Sequence, residues 1–162
     1  MEFSKFIQQF AEKFGIEAPE IVDEAAAFDV DGMPFFLMRV AQEGESEYLV
    51  VAADLGEPPP QGLEKLYQAL LDASHRFAGA SGGVFARNQS DGHIWLQSRE
   101  AFSTVDIDTA IVRVKALGDA ALNWRDIITD YREGSSVPEP AALAEQPADI
   151  SDGERFPGLM MV

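Results

Sequence analysis

The chain has 162 residues and no cysteine, and its 28 acidic and 12 basic side chains leave a formal charge of −16. That length supports one domain with a hydrophobic core and leaves little for a second. The missing cysteines exclude disulfides, thiolate catalysis and cysteine metal sites, and the acidic field disfavours nucleic acid and anionic membrane as partners.

Taken in chain order, residues 3 to 14 predict an amphipathic helix. Phe3, Phe6, Ile7, Phe10 and Phe14 recur at three- and four-residue spacing, and Gly15 stands where a helix stop belongs. Lys5, Gln8, Gln9, Glu12 and Lys13 interrupt any apolar run there, so no secretory signal is expected. No stretch reaches eighteen apolar residues, and a soluble cytoplasmic protein is the expectation.

Residues 25 to 30, 34 to 41 and 48 to 55 predict an antiparallel meander, with Asp31-Gly32 as a two-residue hairpin and Glu43-Gly44-Glu45 as the next turn. The second and third of these strands are apolar on both faces. Phe35 and Leu37 alternate with Phe36, Met38 and Val40, and Leu49, Val51 and Ala53 alternate with Tyr48, Val50 and Ala52. A sheet with one wet face should alternate apolar and polar residues, so helices cover both faces or one face is kept for a partner.

Gly56-Glu-Pro-Pro-Pro-Gln-Gly62 breaks the sheet, because consecutive prolines continue neither a ladder nor a helix interior. A second helix is expected over 63 to 77, followed by a Gly79-Ala-Ser-Gly-Gly83 corner. A hairpin from residues 84–88 and 94–99 turns on Ser90-Asp91-Gly92. Asp106 is a natural N-cap for a last helix over 107 to 131, with Ala110, Val114, Leu117, Ala121, Trp124, Ile128 and Tyr131 as its buried seam. From Glu133 onward, prolines, alanines and acids take over, and an acidic tail over 133–162 is expected, largely flexible or docked by its apolar end Phe156–Val162.

Little of this is catalytic. The glycine corner lacks the lysine of a phosphate loop and runs from helix to strand, the wrong order for one. Ser74 and Ser81 sit in no nucleophile elbow. His75 and His93, even with Asp72 or Asp91, have no ligand spacing. No catalytic residue, metal or cofactor is expected.

The order of elements, together with a few short motifs, resembles the Tir-chaperone family, the class I type III secretion chaperones. Leu70-Leu71-Asp72-Ala73-Ser74 looks like that family's leucine-leucine-x-alanine-asparagine helix end, with Ser74 where asparagine is usual. Gly79 to Gly83 is similar to its Gly-Thr-Gly-Gly corner, one residue looser. Ser90-Asp91-Gly92 before Ile94-Trp95-Leu96-Gln97 resembles its second hairpin, and Asn123-Trp124-Arg125 its closing Trp-Arg. The resemblance covers residues 1–132.

It implies an α+β fold of helix, three strands, helix, two strands, helix, with helices on a twisted antiparallel sheet. It also implies a homodimer without enzymatic activity or ATP use, holding the N-terminal region of a secreted effector in extended form in the bacterial cytoplasm. The apolar surplus then assigns effector binding to Phe6, Phe10, Phe36, Met38, Val40 and Val50, with the Phe35 and Leu37 set as the mirror choice. The resemblance assigns the dimer interface to Leu66, Leu70, Phe77, Val84, Phe85 and Trp95. Two other readings stay open: an adaptor or regulator of the same fold without a secreted client, and a small-ligand domain using the groove and His75.

Overall fold

The computed structural model describes residues 2–41, 46–75 and 79–132. The phenylalanine stripe builds α1 (Phe3–Phe14), whose Phe3, Phe6, Ile7, Phe10 and Phe14 are all buried. Gly15 ends the helix in the left-handed region at φ 81°, its N–H donating to Ala11 O.

Six strands follow as one antiparallel sheet: β1 (Ile21–Val22), β2 (Ala25–Val30), β3 (Met33–Val40), β4 (Tyr48–Asp54), β5 (Val84–Arg87) and β6 (Ile94–Ala101). Their order across the sheet is β1-β2-β3-β4-β6-β5. The β2–β3 turn is the expected Asp31-Gly32, at φ 50° and 73°. Gly32 N donates to Asp29 Oδ1 at 2.7 Å and locks the turn.

Between β4 and β5 lies α2 (Leu63–His75), and after β6 comes α3 (Ile107–Arg132). Asp106 caps α3, its Oδ1 accepting the Thr109 N–H at 2.7 Å, and that bond holds the exposed carboxyl below its ordinary pKa. The expected seam of α3 from Ala110 through Ile128 is buried.

One face of the sheet carries the core. Phe35 and Leu37 of β3, Leu49, Val51 and Ala53 of β4, and Ile94 and Leu96 of β6 point inward with α1 and α3 over them. Phe102 closes the end of this layer, edge-on to Phe6 at 5.5 Å and Phe3 at 6.1 Å. Phe10 meets Phe14 at 5.1 Å and Phe28 at 5.5 Å.

The glycine corner is held from several sides. A Cβ on Gly83 would stand 2.9 Å from Gln97 O and 3.0 Å from Ala80 O, so only glycine lets the chain cross this close to β6. Trp124 of α3 donates through Nε1 to Gly79 O at 2.7 Å and meets the Phe85 ring edge-on at 4.9 Å. Ser74 Oγ, near the end of α2, accepts the Phe85 N–H at 3.1 Å. Arg125 Nη1 reaches Gly32 O at 3.3 Å, tying α3 to the first hairpin. The motif residues that carried the resemblance therefore hold the fold together.

Two features go beyond the expectations. The sheet has an additional short strand, β1, set by a turn at Asp23 and Glu24 with φ 50° and 62°. The second hairpin enters the sheet with β6 against β4, which leaves β5 at the edge. α2 is described from Leu63 to His75, and residues 76–77 of the expected helix lie outside the described residues. Phe77, the expected turn at 43–45 and the expected tail at 133–162 lie outside the described residues.

Candidate binding face

Strand alternation decides what the other side of the sheet shows. Phe35, Leu37, Leu49 and Val51 face the helices, so Phe36, Met38, Val40, Tyr48 and Val50 face away from them. The register sets these side by side: Met38 opposite Val50, Val40 opposite Tyr48, and Phe36 opposite Ala52. Across β4, Val50 is opposite Arg99 and Ala52 opposite Gln97, which brings Trp95, two residues back along β6, onto the same face. The Phe36 and Trp95 rings stack at 4.9 Å, nearly parallel at 9°. Arg99 lies over the Tyr48 ring at 4.9 Å.

This outer face is an apolar strip that none of the described helices covers. Val40 is 38% exposed, while Phe36, Met38, Tyr48, Val50 and Trp95 are half-buried against one another. Trp95 Nε1 is shielded from solvent and meets no acceptor. A shielded donor without a partner costs about 1–3 kcal/mol, and an occupant bringing a carbonyl would relieve it. One end of the strip is polar: His93 Nδ1 lies 2.9 and 3.0 Å from the two carboxylate oxygens of Asp54, whose Oδ1 also accepts the Gly56 N–H. The hydrogen bond from Asp54 raises the His93 pKa above its ordinary value, with Asp91 and Glu57 adding to it against partial desolvation.

The two edges of the sheet differ. β1 presents a free edge at Ile21–Val22, with Val22 58% exposed. The β5 edge is partly occupied, because the Phe85 N–H turns away from β6 to Ser74. A strand added to this sheet therefore meets less obstruction at β1.

The residues expected in the effector site divide. Phe36, Met38, Val40 and Val50 share the open face, while Phe6 and Phe10 are on the sheet-facing side of α1, fully buried, and belong to the core. Their apolar load is absorbed by Phe28, Phe102 and the inner face of the sheet. The mirror pair, Phe35 and Leu37, is equally buried.

The residues expected at a dimer interface also divide. Leu66 and Leu70 are buried inside the chain. Phe85 packs on Trp124, on the helix side of the sheet. Trp95 pairs with Ala86 and Phe85 with Leu96, so Phe85 and Trp95 occupy opposite faces and cannot lie in one patch. Val84 is 39% exposed, and α2 shows Leu71 and Leu63 outward. Among the candidates for chemistry, Ser74 is spent on the Phe85 N–H, and His75 is the last described residue of α2.

The family model for the Tir chaperone protein (CesT) family matches residues 5–109. The chain belongs to this family. No curated protein matches it. Among solved structures, a chain of the ExsC–ExsE complex is similar with a TM-score of 0.62 and 19% identity, over 77% of this chain and 92% of that one. A chain of the Yersinia pestis complex of the type III secretion chaperone SycH with a stable fragment of YscM2 gives 0.54 and 21%, over 75% and 98%. A chain of the Pseudomonas aeruginosa ExoU–SpcU complex gives 0.57 and 16%, over 80% and 99%. At these identities the likeness is one of fold. It places the Tir chaperone architecture, an α+β sheet with three helices, over most of this chain.

No described helix is long and apolar enough to cross a membrane.

Proposed function

We propose that this member of the Tir chaperone family is a non-enzymatic cytoplasmic type III secretion chaperone. It holds the N-terminal region of an effector in extended form. The observation that carries the reading is the uncovered apolar strip of Phe36, Met38, Val40, Val50 and Trp95 on the outer face of the sheet. An extended segment placing alternate apolar side chains on such a strip gains about 25 cal/mol for each Å² of apolar surface it covers. The free β1 edge offers backbone hydrogen bonds to the same kind of segment. The complexes in which the similar folds were solved, ExsC–ExsE and ExoU–SpcU among them, support this reading.

A homodimer goes with it. Of the residues expected at its interface Val84 is exposed, and Leu71 and Leu63 of α2 are exposed beside that set, so these three are the residues we assign to a contact with a second copy. A two-fold contact repeats every substitution, so one change is felt twice.

The test is capture from the source bacterium with three baits: the native chain, Val50→Asp, and Val112→Asp as a surface control, Val112 being 67% exposed. Native and Val112→Asp baits should retain one large protein through a protease-resistant N-terminal segment, and Val50→Asp should lose it. Equal capture by all three would contradict the reading.

A further inference from the structure

The Tir chaperone fold accounts for the chain as far as α3. The similar solved chains are spanned over 92–99% of their own length yet cover only 75–80% of this one. What lies beyond α3 has a definite pattern: six acidic residues and one basic residue from Glu133 to Val162, followed at its far end by Phe156-Pro-Gly-Leu-Met-Met-Val162. The outer face has the complementary pattern. Among the described residues its apolar strip has no helix over it, its Trp95 Nε1 has no acceptor, and Arg99 faces a tyrosine ring with no carboxylate partner.

We infer that residues 156–162 dock on the outer face of the chain's own sheet, over Phe36, Met38, Val50 and Trp95, and must be displaced before a client binds. Phe156 and Leu159 cover the strip, a backbone carbonyl of the segment accepts from Trp95 Nε1, and Asp152 or Glu154 pairs with Arg99.

Reach permits this. The 23 residues from Glu133 to Arg155 span up to about 75 Å when extended. Six strands at about 4.8 Å spacing make a sheet roughly 25–30 Å wide. The segment therefore passes from the helix side, around either edge, to the outer face with slack. Tethering at this length gives an effective concentration on the order of 1 mM. A segment with an intrinsic Kd of about 100 µM would then be docked about nine-tenths of the time and weaken client binding about tenfold. The occupant resembles the proposed client in chemistry, an extended apolar stretch, so the inference rests on that reading of the face.

The chain has two tryptophans, Trp95 on the outer face and Trp124 in the core, and their indole N–H signals in NMR report the two sides separately. The full chain is compared with its Phe156→Ser, Leu159→Ser double variant, whose changes lie outside the described residues. The Trp95 signal should shift, the Trp124 signal should stay, and the difference should persist on dilution. A peptide of residues 150–162 added to the double variant should restore the native position. An unmoved Trp95, or a shift that vanishes on dilution, overturns the inference. Client affinity, measured by calorimetry, should rise about tenfold in the double variant and collapse in Val50→Asp. An unmoved Trp95 with client lost in Val50→Asp sinks the docking and leaves the chaperone reading standing. A moved Trp95 with client retained in Val50→Asp does the reverse.

Discussion

Phe10 and Met38 were both candidates for one groove, and the structure puts them on opposite sides of the sheet. Phe10 is fully buried and has ring partners in Phe14 and Phe28. Truncation to alanine removes most of a ring from a closed core and leaves a cavity, a change costing about 3–5 kcal/mol. For a domain whose whole stability is about 5–15 kcal/mol, that is roughly a fifth or more. With a urea dependence near 2 kcal/mol per molar, the unfolding midpoint falls by about 1.5–2.5 M. Met38 is half-exposed with no helix above it, so Met38→Ala should cost about 1 kcal/mol or less, roughly 0.5 M in midpoint. Phe10→Leu, which keeps most of the volume, covers the case in which the alanine variant does not fold, and should fall between the two. Urea titrations followed by far-ultraviolet circular dichroism measure all three. Equal midpoints for Phe10→Ala and Met38→Ala would show that the inner and outer faces have been assigned the wrong way round.

Three further outcomes are expected. Gly83→Ala drives a Cβ against Gln97 O and Ala80 O, neither of which is the end of a flexible side chain, and should destabilise by about 1–3 kcal/mol in the same titration. Ser74→Ala leaves the Phe85 N–H without its acceptor and should cost about 1 kcal/mol, with Ser74→Asn, which still carries an acceptor oxygen, recovering part of it. The His93–Asp54 contact raises the folded pKa of His93 above its unfolded value of about 6.5, so its stabilisation is complete below that pH and fades as pH rises through the folded value. The stability gap between native chain and Asp54→Asn should narrow from about pH 6 to pH 8.5, and a gap that widens would reverse the assignment.

Much of the fold was legible because its signals are local. The period of α1 with Gly15 behind it, the Asp31-Gly32 turn, and the Asp106 cap with the α3 seam each lie within a few residues of what they determine. β1 was not legible: two residues long, it is set by a turn in which Asp23 and Glu24 take positive φ without a glycine. The sheet order was not legible either, since a hairpin motif pairs β5 with β6 without saying which of them joins β4.

The site was legible in half. Alternation along β3 and β4 showed two apolar sets, but only the helices decide which is covered, and that is a tertiary fact. Phe85 and Trp95 looked alike as greasy hairpin residues. The register, which depends on the length of the 88–93 turn, sends them to opposite faces, and a slip of one residue would exchange them. The Asp54–His93 contact joins residues 39 apart in sequence through the pairing of β4 with β6, and no local pattern announces it.

Methionine supplies the most direct test of the outer face. Met33 is fully buried and Met38 lies on the strip, so a client bound there changes the surroundings of one methyl group and leaves the other alone. The measurement is a titration of the full chain, labelled with 13C at the methionine methyls, with the captured N-terminal client segment. The Met38 signal should move to saturation with the segment while the Met33 signal holds still. A saturating complex in which Met38 does not move would contradict that placement of the client.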